Sequence, residues 1–223
     1  MYLPAHFEPP DTGALHALMR EHPLAALVTS GADGLTADHV PFELDGAAGA
    51  PGRLLGHVAR ANPLWRQASG TPVLAIFSGP QAYISPSWYP SKALTHKVVP
   101  TWNYAVVHAH GRLRAVDDTP WLQALVQRLT RHHEAAQTVP WAVSDAPEDY
   151  VQQMLRAIVG IEIEITRLVG KFKLSQNRSE ADRRGVAAGL RDGQGSAREL
   201  AATMDAPLTP AITPAITPPI DPP

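Results

Sequence analysis

The chain of 223 residues has no cysteine. That excludes disulfide scaffolds, thiol nucleophiles and sulfur-ligated zinc or iron–sulfur sites, and it suits a reducing, cytoplasmic setting. No apolar run approaches the ~18 residues of a membrane span, so no membrane partner is expected. Met1-Tyr2-Leu3-Pro4-Ala5-His6-Phe7 has neither the basic start nor the apolar core of a signal peptide. Charge is scarce as well: 18% of residues are charged and the net charge is −2. DNA contact would therefore need a local patch or an oligomer that concentrates one. No Gly-x-Gly-x-x-Gly follows a strand, which argues against a Rossmann-type site. No Gly-x-Ser-x-Gly elbow marks a Ser-His-Asp triad.

Aromatics are few, with 5 Trp, 5 Tyr and 4 Phe, yet Tyr83, Trp88, Tyr89, Trp102 and Tyr104 gather between Gly79 and Gly111. This stretch reads as a short strand at Ala82–Ile84, a Pro-punctuated loop to Pro100, and a long strand from Thr101 through His108, continuing to Val116. Flat rings beside Ser, Asn, Lys and His on a loop fixed between strands suit a planar ligand. Ordinary core and cross-strand pairing is the other reading.

Upstream, Asp11 or Thr12 caps a helix carrying Leu15, Leu18 and Met19, which Pro23 stops. Strands are expected at Leu24–Thr29, Leu35–Leu44, Arg53–Ala59 and Val73–Phe77, with turns at 31–34 and 45–52. Pro41 cannot donate to a ladder, so its strand lies at an edge or ends pairing there. Asn62-Pro63 reads as the start of a short helix. A strand running into that helix, with Arg60 beside free N–H groups, is a ready anion corner suited to phosphate; most such junctions bind nothing. Helices follow at Pro120–Glu134, capped by Asp118 or Thr119, and from Pro147. Val159–Thr166 alternates Ile161, Ile163 and Ile165 with Glu162, Glu164 and Thr166, a strand with one wet face. Ser179 starts a helix to about Leu190.

His108 and His110 share one strand face, but sequence places no third ligand, so no metal site is expected. Lys171, Lys173, Arg178, Arg183 and Arg184 are the candidate DNA-contact patch, against the alternative of a solvated face offset by Glu180 and Asp182. From Ala206 the chain is Pro-rich, with Pro-Ala-Ile-Thr occurring twice, and reads as extended and solvated. Strands outnumber what a βαβ alternation allows, so a β-rich α+β fold, a barrel with peripheral helices, is expected. Its domain would span residues 1–190, including a basic, helical C-terminal segment. Residues 191–223 would be a helical remnant and a disordered tail.

MYLPAHF at the N-terminus, LLGHVARANP at 54–63, GPQAYISPSWY at 79–89, VPTWNYAVVHAHG at 99–111 and GKFKLSQNR at 170–178 resemble the PaiB-type FMN-binding negative transcriptional regulators. The resemblance implies a split β-barrel, FMN as cofactor, and a homodimer with FMN near the subunit interface. It implies repression through DNA, bound directly or through a partner. By likeness to related split barrels, the phosphate would lie around His57, Val58, Ala59, Arg60 and Asn62. Asp38, His39 and Val40 would pass along the isoalloxazine edge, and Trp102 and Asn103 would approach from either subunit. Lys173, Ser175, Gln176 and Asn177 would lie at the cofactor or the dimer interface. An FMN-dependent oxidoreductase of the flavin-reductase or pyridoxamine-phosphate-oxidase type is the alternative, and a haem-binding or haem-degrading split barrel the second.

Overall fold

The computed structural model describes residues 1–32, 34–46 and 50–205. The Pro-rich tail and the middles of the turns at 31–34 and 45–52 lie outside them. Strands run at β1 (Leu24–Gly31), β2 (Gly34–Pro41), β3 (Glu43–Asp45), β4 (Arg53–Ala59), β5 (Pro72–Ile84), β6 (Thr101–Val116) and β7 (Ile158–Lys173). Helices are α1 (Thr12–Glu21), α2 (Leu64–Gln67), α3 (Ser91–Thr95), α4 (Thr119–Glu134), α5 (Glu148–Arg156), α6 (Glu180–Arg191) and α7 (Ser196–Asp205). Side chains start three of them as their sequence predicts: Asp11 accepts from the Ala14 N–H (2.9 Å), Asp118 from Trp121 (2.7 Å) and Ser179 from Asp182 (3.2 Å).

The strands form one antiparallel sheet in the order β2-β1-β5-β6-β7-β4-β3. Laid flat, its edges would stand roughly 29 Å apart at ~4.8 Å per strand. Yet β2 and β3, the two edges, are separated in sequence by Phe42 alone, which spans at most about 7 Å. The sheet must therefore curl until its edges meet, without ladder pairing between them: a split β-barrel. Phe42 sits at the join, buried, its N–H donating to the Pro23 carbonyl (2.9 Å) and its ring 6.4 Å from that of Phe77. The single strand expected over Leu35–Leu44 is thus two strands on opposite edges. Conversely, the strands expected at Val73–Phe77 and Ala82–Ile84 are one, with a register shift between Ser78 and Gln81.

Inward-facing Leu27, Leu54, Phe77, Val107, Leu113, Ile161 and Ile163 fill the barrel. Leu15, Leu18 and Met19 of α1 and Leu200, Ala201 and Met204 of α7 join the same cluster. The folded unit therefore includes α7, beyond the boundary expected at residue 190. Outside the barrel, α4 lies against β4 and β7 and buries Leu122 and Leu125, and the Trp121 ring occupies the space a side chain on Gly160 would need.

Candidate functional site

The residues singled out from sequence fall into two groups. The first stands where β2 faces the end of β4 across the split. Asn62 bridges that gap: its Nδ2 donates to Asp38 Oδ1 (2.7 Å) and its Oδ1 accepts from the Leu64 N–H (2.9 Å). Val40 and Val58 are buried in the core, while His39 and Ala59 are exposed. His57 lines a cleft of about 260 Å³ with Thr130, His133 and Glu134 of α4 and with Trp141. Burial holds its pKa below the ordinary imidazole value, so the ring is neutral at pH 7.

Arg60 is not the free cation that the anion corner requires. Its guanidinium makes a two-pronged ion pair with Asp117 (2.8 and 2.6 Å) and also donates to the carbonyls of Arg156 (2.7 Å) and Ile158 (3.1 Å). The hydrogen bond to Asp117 raises the Arg60 pKa and lowers that of Asp117. The backbone N–H groups of Arg60, Asn62 and Leu64 all have partners as well. The helix they lead into, α2, is a single turn of four residues. The corner is internally satisfied because Asp117, 57 residues away in sequence, arrives to claim it.

The second group lies where β6 begins and β7 ends. Trp102 is 49% exposed and meets Tyr83, 50% exposed, edge to face at 6.3 Å. Its Nε1 donates to Gln81 (3.2 Å). Asn103 points inward with no exposure. Its Nδ2 donates to Ser175 Oγ (2.9 Å), but its Oδ1 has no partner. Ser175 is itself buried, at φ +64°, a left-handed conformation costly for a residue with a side chain. Lys173 Nζ donates to Thr101 Oγ1 (2.5 Å) and the Trp102 carbonyl (2.7 Å). Burial, then Lys171 and Arg178, lower its pKa. Gln176 folds back on its own turn, accepting from the Leu174 N–H and donating to the Phe172 carbonyl, and Asn177 is exposed.

One chain does not bring the two groups together. His57 pairs with Gly160 near the start of β7, and Tyr104 with Lys173 at its end. From Gly160 to Lys173 the strand runs roughly 40 Å at ~3.3 Å per residue. Of the basic residues read as one patch, Lys171 and Arg178 lie near enough to Lys173 to lower its pKa, while Arg178 stacks over Tyr89 (5.1 Å), Arg184 pairs with Glu180, and Arg183 Nε is buried. Sequence reading missed Asp117, whose partner Arg60 lies 57 residues away. It also missed the α4 wall of the His57 cleft, for which the sequence carries no signal before the helix is docked.

The family described as "Putative FMN-binding domain" matches residues 1–167. An uncharacterised protein of Emericella nidulans is 36% identical over 85% of this chain and 90% of its own length. The Bacillus subtilis protein named protease synthase and sporulation protein PAI 2 is 29% identical over 92% of this chain and 97% of its own. Among solved structures, the FAD and haem binding protein of Mycobacterium smegmatis superposes with a TM-score of 0.55 at 18% identity, covering 96% of this chain and 94% of that one. The flavocytochrome Anf3 of Azotobacter vinelandii gives 0.54 at 13% identity, over 80% and 75%. At these identities the structural likenesses establish the split-barrel fold. The family match, with relatives aligned along most of their length, establishes that this chain belongs to the FMN-binding domain family.

Proposed function

We propose that this protein is a cytoplasmic, homodimeric FMN-binding regulator that represses transcription according to its flavin state. The family match over residues 1–167 carries the reading, and the local chemistry fits. The fully buried Asn103 Oδ1 is an acceptor for which the described residues supply no donor. The exposed Trp102–Tyr83 pair offers a flat wall, and Lys173 a cation beside it. Asn62, His57 and Arg60, the last only by sharing its guanidinium with Asp117, would hold the phosphate end of FMN from one protomer, while Trp102, Asn103 and Lys173 approach from the other. Their separation along β7 is what asks for a second copy. Exposed Tyr83, Leu94, Val99 and Trp102 give that end an apolar surface for it to cover. Bound flavin supplies a two-electron acceptor; the chain positions it and shields it from water.

The test is direct. Protein equilibrated with FMN and freed of excess by gel filtration should keep flavin absorbance and sediment as a dimer. A Soret band after incubation with haemin, or no retained chromophore, would overturn the cofactor. Bleaching by NAD(P)H in turnover would replace the regulator with an oxidoreductase. Repression predicts a salt-dependent mobility shift with the protein's own promoter region, and no shift in either flavin state would remove direct DNA contact.

A further inference from the structure

The outward face of β6 and the second half of β7 is free of acid. Neither β6 nor residues 165–178 contain Asp or Glu, and neither does Met1–Phe7, which is tied to this face by Lys171 Nζ donating to the Tyr2 carbonyl (3.2 Å). On this face His108 and His110 stand two residues apart, their rings 6.5 Å from each other. The register sets Arg167 opposite His110 and Lys171 opposite Val106, flanking His108 from the other side. Lys171 is held in place, its Nζ 5.6, 5.8 and 5.6 Å from the rings of Tyr2, Phe7 and Tyr104. Neither Arg167 nor Lys171 has a carboxylate within 4 Å among the described residues.

Arg167 faces His110 across the ladder with no carboxylate within 4 Å among the described residues, so a proton on that ring is disfavoured until an anion arrives from outside. We propose that this strip binds a phosphate group, with Arg167 and Lys171 as standing cations and His108 and His110 as donors that gain protons when the anion arrives. A tetrahedral oxyanion takes donors from both strands at once. A planar carboxylate is better matched to a single guanidinium. The register sets Arg167 against His110, with Lys171 beyond His108 on the far side. Glu164 lies further along β7, opposite Arg112 and beyond the irregularity between His110 and Gly111. Burial above all, with Arg167 adding to it, keeps both imidazoles below their ordinary pKa in the free protein, so an oxyanion of constant charge binds more tightly as pH falls. The strip adjoins Lys173 of the second residue group, two residues beyond Lys171 on β7, and does not rest on the flavin reading.

The experiment is calorimetric titration of the full chain with sodium phosphate and with sodium sulfate, whose charge does not change over this range, at constant ionic strength, at pH 6 and pH 8, with chloride as control. Sulfate binding at pH 6 should weaken at least fivefold at pH 8. Arg167→Gln should lower phosphate affinity about tenfold or more, as losing a charged hydrogen bond does. The pair His108→Gln with His110→Gln should flatten the pH dependence while leaving the circular dichroism unchanged. Equal heats with chloride, no binding at pH 6, or an Arg167→Gln affinity equal to wild type would overturn the site. A parallel FMN fluorescence titration identifies the source: unchanged FMN affinity in Arg167→Gln means free phosphate or another phosphate ester, and a matching loss means that the strip holds FMN's own phosphate. Phosphate binding without any flavin binding would sink only the flavin reading.

Discussion

At the residue scale, pairing decides what a charged group is available to do. Arg60 reaches a phosphate only by sharing its guanidinium with Asp117. Asp117→Asn is therefore expected to tighten FMN binding severalfold, read by flavin fluorescence quenching; unchanged affinity would remove Arg60 from the site. Ser175→Ala would strip the Asn103 side chain of its one hydrogen bond and leave a fully buried amide unsatisfied, costing about 1–3 kcal/mol in urea denaturation. His57, His108 and His110 all have folded pKa values below the ordinary imidazole value. The unfolded chain then binds more protons as pH drops through about 6.5. Stability is fully present above that pH and lost below it, and His57→Gln should reduce the slope of melting temperature against pH. In phosphate the His108 and His110 share of that loss should shrink.

At the scale of elements, the sequence showed the helix starts because a cap is local: Asp11, Asp118 and Ser179 each bond within three residues. The long strand over Thr101–Val116 and the common face of His108 and His110 were legible for the same reason, alternation being a property of neighbours. What alternation cannot show is where a ladder changes partner. Pro41, which cannot donate to a ladder, marks locally where Leu35–Leu44 stops pairing, but nothing local shows that Phe42 carries the chain to the opposite edge; its N–H goes to Pro23, just before β1. Arg60 failed in the same way, its partner lying 57 residues on. Within β6, Gly111 marks the irregularity against β7, and a Cβ there would collide with the Glu164 carbonyl and the Ile163 side chain. Gly111→Ala should destabilise the fold by about 2–3 kcal/mol. It should also shift His110 against Arg167, so phosphate affinity would fall with stability, whereas the Asp117→Asn effect on FMN would persist.

At the scale of the whole molecule, the barrel's interior is shared by the sheet, α1 and α7, so its stability should be lost as one unit. Phe42→Ala, at a buried position where both edges meet, is expected to cost about 3–5 kcal/mol while leaving a single cooperative transition; a two-step melt would show that the edges unfold independently. The one-residue link at Phe42 has a further consequence. A circular permutant with new termini there would retain the ladders between adjacent strands and lose only the tether between the two edges. What sets the distance across the split is thus covalent continuity and a few side-chain contacts such as Asn62 to Asp38, with no ladder to break. A cleft held by a tether can widen or narrow around what occupies it, and such a change reaches the opposite rim through β1 and β4 without unzipping a strand.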